Sequence, residues 1–199
     1  MIEQIKIGCA STKTTYGHRL DTTLVELNSD AKISGLFTSN KFKSAPVQIC
    51  LDQLETKMKG RKMLAINAGN ANAATGKKGV SDAKKLIQEI SNLTNISTTQ
   101  ILPFSTGVVG QLLDVKQLSS AFNKCFKNLS KNSWDDFAKA IMTTDTKSKI
   151  IKLPFKAGSK KYHIVGIAKG VGMIEPNMAT TLSYILSLIH ISEPTRHHA

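Results

Sequence analysis

Lys169, Gly170, Gly172, Pro176, Ala179 and Thr180 fall within one stretch of twelve residues near the end of the 199-residue sequence. The glycines let backbone approach backbone, the proline interrupts regular structure, and a small residue stands directly before a hydroxyl. A hydroxyl on a chain turned in this way is suited to attack its own preceding carbonyl. Taken alone, the stretch reads better as a Gly-rich loop between a strand and a helix, because a single Gly-rich loop is a weak signal.

The same kind of turn recurs. Small, hydroxyl-rich residues end an apolar segment at 67–76, 105–110, 143–146 and 170–180. Such turns expose backbone N–H groups and hydroxyls, which are the parts that bind an oxyanion, and together they suit acyl transfer. Other chemistries are poorly supplied. Six residues separate Gly69 from Gly76 and Lys77 is followed by Lys78, so the phosphate-loop spacing fails. His18 and His163 are isolated, with no metal-ligand pattern, and no G-x-S-x-G elbow occurs.

The elements that must carry these turns read as α+β. Alternation predicts strands at 2–9, 22–27, 33–38 and 45–50, the last with Pro46 at its start. A short polar helix over 51–59 closes at Gly60, and the apolar run 63–66 is a strand covered on both faces. Ser81 is placed to cap a helix whose stripe is Ala83, Leu86, Ile87, Ile90 and Leu93. Ile101 and Leu102 lead into a turn over 103–110. Helices follow at about 116–130 and from Trp134 to Ile141, the second capped by Asn132 or Ser133. Strands at 150–153 and 162–167 form a hairpin about 157–159. The expectation is a mixed, largely antiparallel sheet packed with helices.

Composition bounds the partners. A formal charge of +13 with only 6% aromatic residues and scattered lysine pairs reads as solvated surface rather than a base-stacking groove. Three scattered cysteines suit a reducing compartment, and neither a signal peptide nor a spanning segment is expected, which points to the cytoplasm.

Five blocks occur in fixed order: Gly35 to Asn40 with Ala45, Pro46 and Val47; Asn67 to Ala73; Ser105 to Gly110; Ala140 to Thr146; and Ala168 to Thr180. They resemble the signature blocks of ornithine acetyltransferase (glutamate N-acetyltransferase), an arginine-biosynthesis family. The resemblance implies a self-processing precursor with an N-terminal threonine nucleophile, cut between Ala179 and Thr180. It implies that Thr180 carries acetyl from N-acetylornithine to glutamate, that Thr106 and Gly107 stabilise the oxyanion, and that Lys169 with Thr143 or Thr144 binds substrate. Thr181 is a competing nucleophile candidate. No metal or prosthetic group is implied, and acetyl-CoA is a substrate only in bifunctional members. The partner is the protein's own β chain, in a heterotetramer of two α and two β chains, with neither nucleic acid nor membrane.

On this reading residues 1–179 are the α-chain domain, 180–186 begin the β chain, and 187–199 resemble translated cloning sequence. The chain is then a truncated form that does not turn over. The same cut also serves amide hydrolysis in N-terminal-nucleophile aminopeptidases, which is one competing reading; a basic RNA-binding protein is the other.

Overall fold

The structure is a computed structural model that describes residues 5–56, 58–157, 160–171 and 181–187. Its first sheet holds β1 (Ile5–Ala10), β2 (Thr22–Leu27), β3 (Lys62–Asn70) and β4 (Ile101–Val108) in that spatial order. The β1–β2 and β2–β3 pairs are antiparallel, and β3–β4 is parallel. The crossover between β3 and β4 carries the long helix α2 (Gly76–Thr94), as a parallel connection requires. A second sheet is wholly antiparallel: β5 (Lys149–Ala157), β6 (Lys160–Lys169) and β7 (Leu182–Ser187) in sequence order. Two sheets thus stand where the sequence pattern implied one, and the expected α+β mixture of sheet and helix holds.

Alternation along the central strands explains the layering. Leu24, Met63, Ala65 and Ile101 face one way and meet Leu86, Ile87 and Ile90 of α2, with Leu118 and Phe122 of α3 (Val115–Lys127). Val25, Leu64, Ile66 and Leu102 face the other way. There they meet Phe137 of α4 (Trp134–Ala140) and Val165, Ile167, Tyr184 and Leu186 of the second sheet. The strand β3 is buried at eight of its nine positions, as a strand covered on both faces must be. Gly8 permits the tightest crossing: a Cβ there would stand 1.9 Å from the carbonyl oxygen of Cys125 in α3.

Several expected elements differ. Residues 45–50 are not a strand but the start of helix α1 (Ala45–Leu54), in which Pro46 occupies the first turn, where a missing N–H costs nothing. Its buried positions, Ala45, Pro46, Ile49 and Cys50, follow a helical stripe. Residues 33–38 form no strand; Ile33 and Phe37 pack on the core while Leu36 is 84% exposed. Ser81 is interior to α2, which begins at Gly76 with Thr75 as N-cap. The hydroxyl of Thr75 is spent on Asn72 Oδ1, and the Asn72 amide binds the Gly79 carbonyl.

The turn expected at 103–110 is strand as far as Val108. Pro103 is tolerated because β4 is a sheet edge. Ser133 is the N-cap position of α4, without a side-chain cap bond. The hairpin of β5 and β6 is present, its register running to Ala157 opposite Lys160. Residues 2–4, 57, 158–159, 172–180 and 188–199 of the sequence readings lie outside the described residues, Ala179 and Thr180 among them. Among the described residues, no helix is long and apolar enough to cross a membrane.

Candidate active site

Parallel pairing of β3 and β4 brings two of the small-residue blocks to the same end of the first sheet. Asn67 pairs with Ser105, Ala68 with Thr106 and Gly69 with Gly107, and the register then slips in a bulge at Gly69 and Asn70. A bulge re-aims side chains at a strand end. Asn67 holds this one: its amide donates to the Asn70 carbonyl at 2.9 Å, and its oxygen accepts from the Ser105 hydroxyl at 2.6 Å. Gly107 has φ +132°, and a Cβ there would stand 2.3 Å from the Gly69 carbonyl carbon and 2.6 Å from the Asn70 nitrogen. No other residue fits that position without moving one strand.

Lys169 ends β6 and reaches across from the second sheet. Its ammonium, on a residue only 6% exposed, donates to Thr106 Oγ1 at 3.1 Å and to Thr143 Oγ1 at 2.6 Å. Burial pushes the Lys169 pKa below its usual value; the Asp145 charge opposes that shift and the Lys149 charge adds to it. An ammonium has three donors and no acceptor, so each threonine oxygen must act as acceptor here. Each hydroxyl proton is thereby left to point elsewhere. That is the arrangement a developing oxyanion needs.

Of the two threonines the sequence offered as alternatives, Thr143 touches Lys169 while Thr144 is exposed. Thr181, the competing nucleophile candidate, donates its hydroxyl to the Lys169 carbonyl at 2.8 Å. The structure therefore assembles Thr106, Gly107, Thr143 and Lys169, leaves Thr144 at the surface, and sets Thr181 beside Lys169.

Further residues support the cluster. The Arg19 guanidinium stacks 3.8 Å over the Tyr16 ring and donates to the carbonyls of Met142 (2.9 Å) and Thr143 (3.4 Å). The carboxylate of Asp145 lies under the same turn. Burial would raise its pKa, but the hydrogen bond from Lys149 and the backbone donors of Gly170 and Thr143 outweigh this and hold it down at about 2. Asp145 lies within the fourth sequence block, which implies no role for it, and no local signal marks Arg19, which acts across more than 120 residues of chain. Among the described residues no three His, Cys, Asp or Glu side chains gather as a metal site.

Fold and site together define an α+β domain in which a lysine from one sheet meets threonine hydroxyls carried by the other sheet and by the turn after α4. The sequence matches the ArgJ family over residues 4–199, and the chain belongs to that family. The arginine biosynthesis bifunctional protein ArgJ of Colwellia psychrerythraea is 37% identical over 201 residues, which cover 96% of this chain and 47% of that protein. Its counterpart in Methylococcus capsulatus is 36% identical over 184 residues, 92% of this chain and 44% of that protein. The chain thus spans a little under half the length of the curated relatives it matches.

Two solved structures share the fold. That of the arginine biosynthesis bifunctional protein argJ from Bacillus halodurans has a TM-score of 0.76 at 25% identity, covering 88% of this chain and 91% of that chain. Ornithine acetyltransferase complexed with ornithine, from Mycobacterium tuberculosis, gives 0.73 at 26% identity, with 87% and 92% covered.

Proposed function

We propose that residues 1–179 are the α part of a self-processing acetyltransferase of arginine biosynthesis, and that Thr180 begins its β part. The observation that carries this reading is the contact of the Lys169 ammonium with Thr106 and Thr143, with the Lys169 carbonyl accepting from Thr181, the residue that follows the proposed nucleophile. Coverage supports the division: a stretch amounting to 44–47% of the curated relatives amounts to 91–92% of the matched chains in solved structures.

Processing needs no outside reagent except water. The Thr180 hydroxyl adds to the Ala179 carbonyl carbon, the C–N bond breaks, and the amide nitrogen keeps the hydroxyl proton. Water then hydrolyses the ester, leaving a carboxylate on Ala179 and a free α-amine on Thr180. An α-amine has a pKa of about 7.7–8.0 and serves as base for its own hydroxyl. The described residues that follow the proposed cut are held beside the end of β6, because β7 pairs with β6 from Leu182 opposite Lys169 to Ser187 opposite Ile164.

Transfer follows in two halves. Thr180 Oγ attacks the acetyl carbonyl of N-acetylornithine, and the proton passes through the α-amine to the departing ornithine nitrogen. The amine of glutamate then attacks the acetyl ester and takes the group away, returning the proton to Thr180. The free hydroxyl proton of Thr106 and the backbone of Gly107 stabilise the oxyanion in each half. Two of the three Lys169 donors are used among the described residues, and the third holds a substrate carboxylate. Intact-mass measurement of the full-length gene product and of its Thr180→Ala variant tests the reading: cleavage after Ala179 is expected in the first and absent in the second. An uncut wild-type full-length gene product would refute it.

A further inference from the structure

Asp145 closes the turn that follows α4, and its side chain is 1% exposed. Three donors converge on it. The Lys149 ammonium at 2.6 Å and the Gly170 backbone N–H at 3.0 Å reach Oδ1, and the Thr143 backbone N–H at 3.2 Å reaches Oδ2. Two of these partners flank Lys169. Thr143 is the residue whose hydroxyl receives the ammonium, and Gly170 follows Lys169 in the chain. One carboxylate therefore ties the turn after α4 to the end of β6, two segments about 25 residues apart in sequence.

We propose that Asp145 is the positioning residue of this site, a carboxylate clamp that keeps the Lys169 ammonium charged and aimed at the Thr106 and Thr143 hydroxyls. The inference rests on the reading of Lys169 as the holder of a substrate carboxylate. Asp145 acts through its neighbours: its hydrogen bonds run to the backbone beside Lys169 and to Lys149.

The charges around Lys169 come from three segments. Asp145, in the turn, favours the protonated amine; Lys149, at the start of β5, disfavours it; burial disfavours it most. Arg19, from the loop before β2, is held against the Thr143 carbonyl. Asp145→Asn removes the anion, so Lys169 loses its proton at lower pH. Lys149→Met removes a cation, so Lys169 keeps its proton to higher pH. A clamp that carries charge predicts opposite displacements; a merely structural contact predicts none.

The test measures kcat/KM for N-acetylornithine against pH in the full-length gene product. Asp145→Asn is expected to lose on the order of 10²-fold, the effect of a misplacement of about 1 Å, with the alkaline limb moved to lower pH. Lys149→Met is expected to move that limb to higher pH. The 13Cε shift of Lys169, assigned by its loss in Lys169→Arg, is titrated in the 199-residue chain and is expected to show the same two displacements without turnover. An unmoved Lys169 titration in both variants overturns the proposal. If Asp145→Asn does not fold, Lys149→Met decides alone, and an unmoved or lowered titration overturns it. Displaced titrations in a protein whose wild type transfers no acetyl group support the clamp and reject the acetyl-transfer reading.

Discussion

Gly107→Ala puts a methyl group where two backbones already meet. The position has φ +132°, and the added carbon would lie 2.3 Å from the Gly69 carbonyl carbon and 2.6 Å from the Asn70 nitrogen. Relief requires β4 to move away from the β3 bulge by roughly 1 Å, since ordinary contact begins near 3.4 Å. Two costs add. A strained backbone costs about 1–3 kcal/mol and overpacking about 1–3 kcal/mol, so the variant is expected to lose roughly 2–6 kcal/mol. Gly110→Ala separates them, because Gly110 also has positive φ, +83°, but no atom within 4 Å of an added Cβ. It is expected to lose only the backbone share, about 1–3 kcal/mol. Urea unfolding of both variants at equal m-value gives the difference directly. Equal losses would refute the crowding argument and the claim that the bulge dictates glycine beside Thr106.

Three further outcomes follow from the same geometry. Thr106→Val keeps the shape and removes the hydroxyl, so kcat for acetyl transfer is expected to fall by about 10²–10³, the usual loss for one oxyanion donor, with KM little changed. The carboxyl of Asp145 has its pKa lowered in the fold, from 3.8 to about 2. Its contribution is therefore fully present above pH 3.8 and is lost as pH falls towards 2; it amounts to roughly 2 kcal/mol. Acid unfolding of Asp145→Asn is expected to lack that component. Burial raises the thiol pKa of Cys9, Cys50 and Cys125 to about 12, so at pH 8 roughly one thiol in 10⁴ is ionised. Iodoacetamide labelling at that pH is expected to wait for unfolding, and prompt labelling of the native chain would contradict the burial.

Legibility in the sequence followed the physics of each signal. Strong periodicity marked the elements well: Leu86, Ile87 and Ile90 show the stripe of α2, and the apolar run 63–66 announces a strand buried on both faces. The failures lie where one residue serves two grammars. Pro46 fits a strand start and a helix first turn equally, and only the burial of Ile49 and Cys50 beside it decides for the helix. Small residues at 103–108 read as a turn because nothing local reveals the β3 partner that makes them strand.

The site was legible as a list of blocks and not as a geometry. Spacing could not show that Thr143 rather than Thr144 meets Lys169, because the choice is made by where the turn after α4 packs. Arg19 gave no signal, since its hydrogen-bond acceptors are backbone carbonyls more than 120 residues along the chain. Asp145 lies within the block Ala140 to Thr146, but a carboxylate used for backbone clamping has no sequence signature of its own.

The central claim is that the hydroxyl of Thr180 carries the acetyl group, and a trapped intermediate tests it most directly. The full-length gene product, incubated with N-acetylornithine in the absence of glutamate and quenched in acid, is digested and its peptides are weighed. The peptide beginning at Thr180 is expected to gain the mass of one acetyl group, ester-linked and discharged by added glutamate. Turnover with that peptide unmodified, or with the acetyl group on another residue, would contradict it.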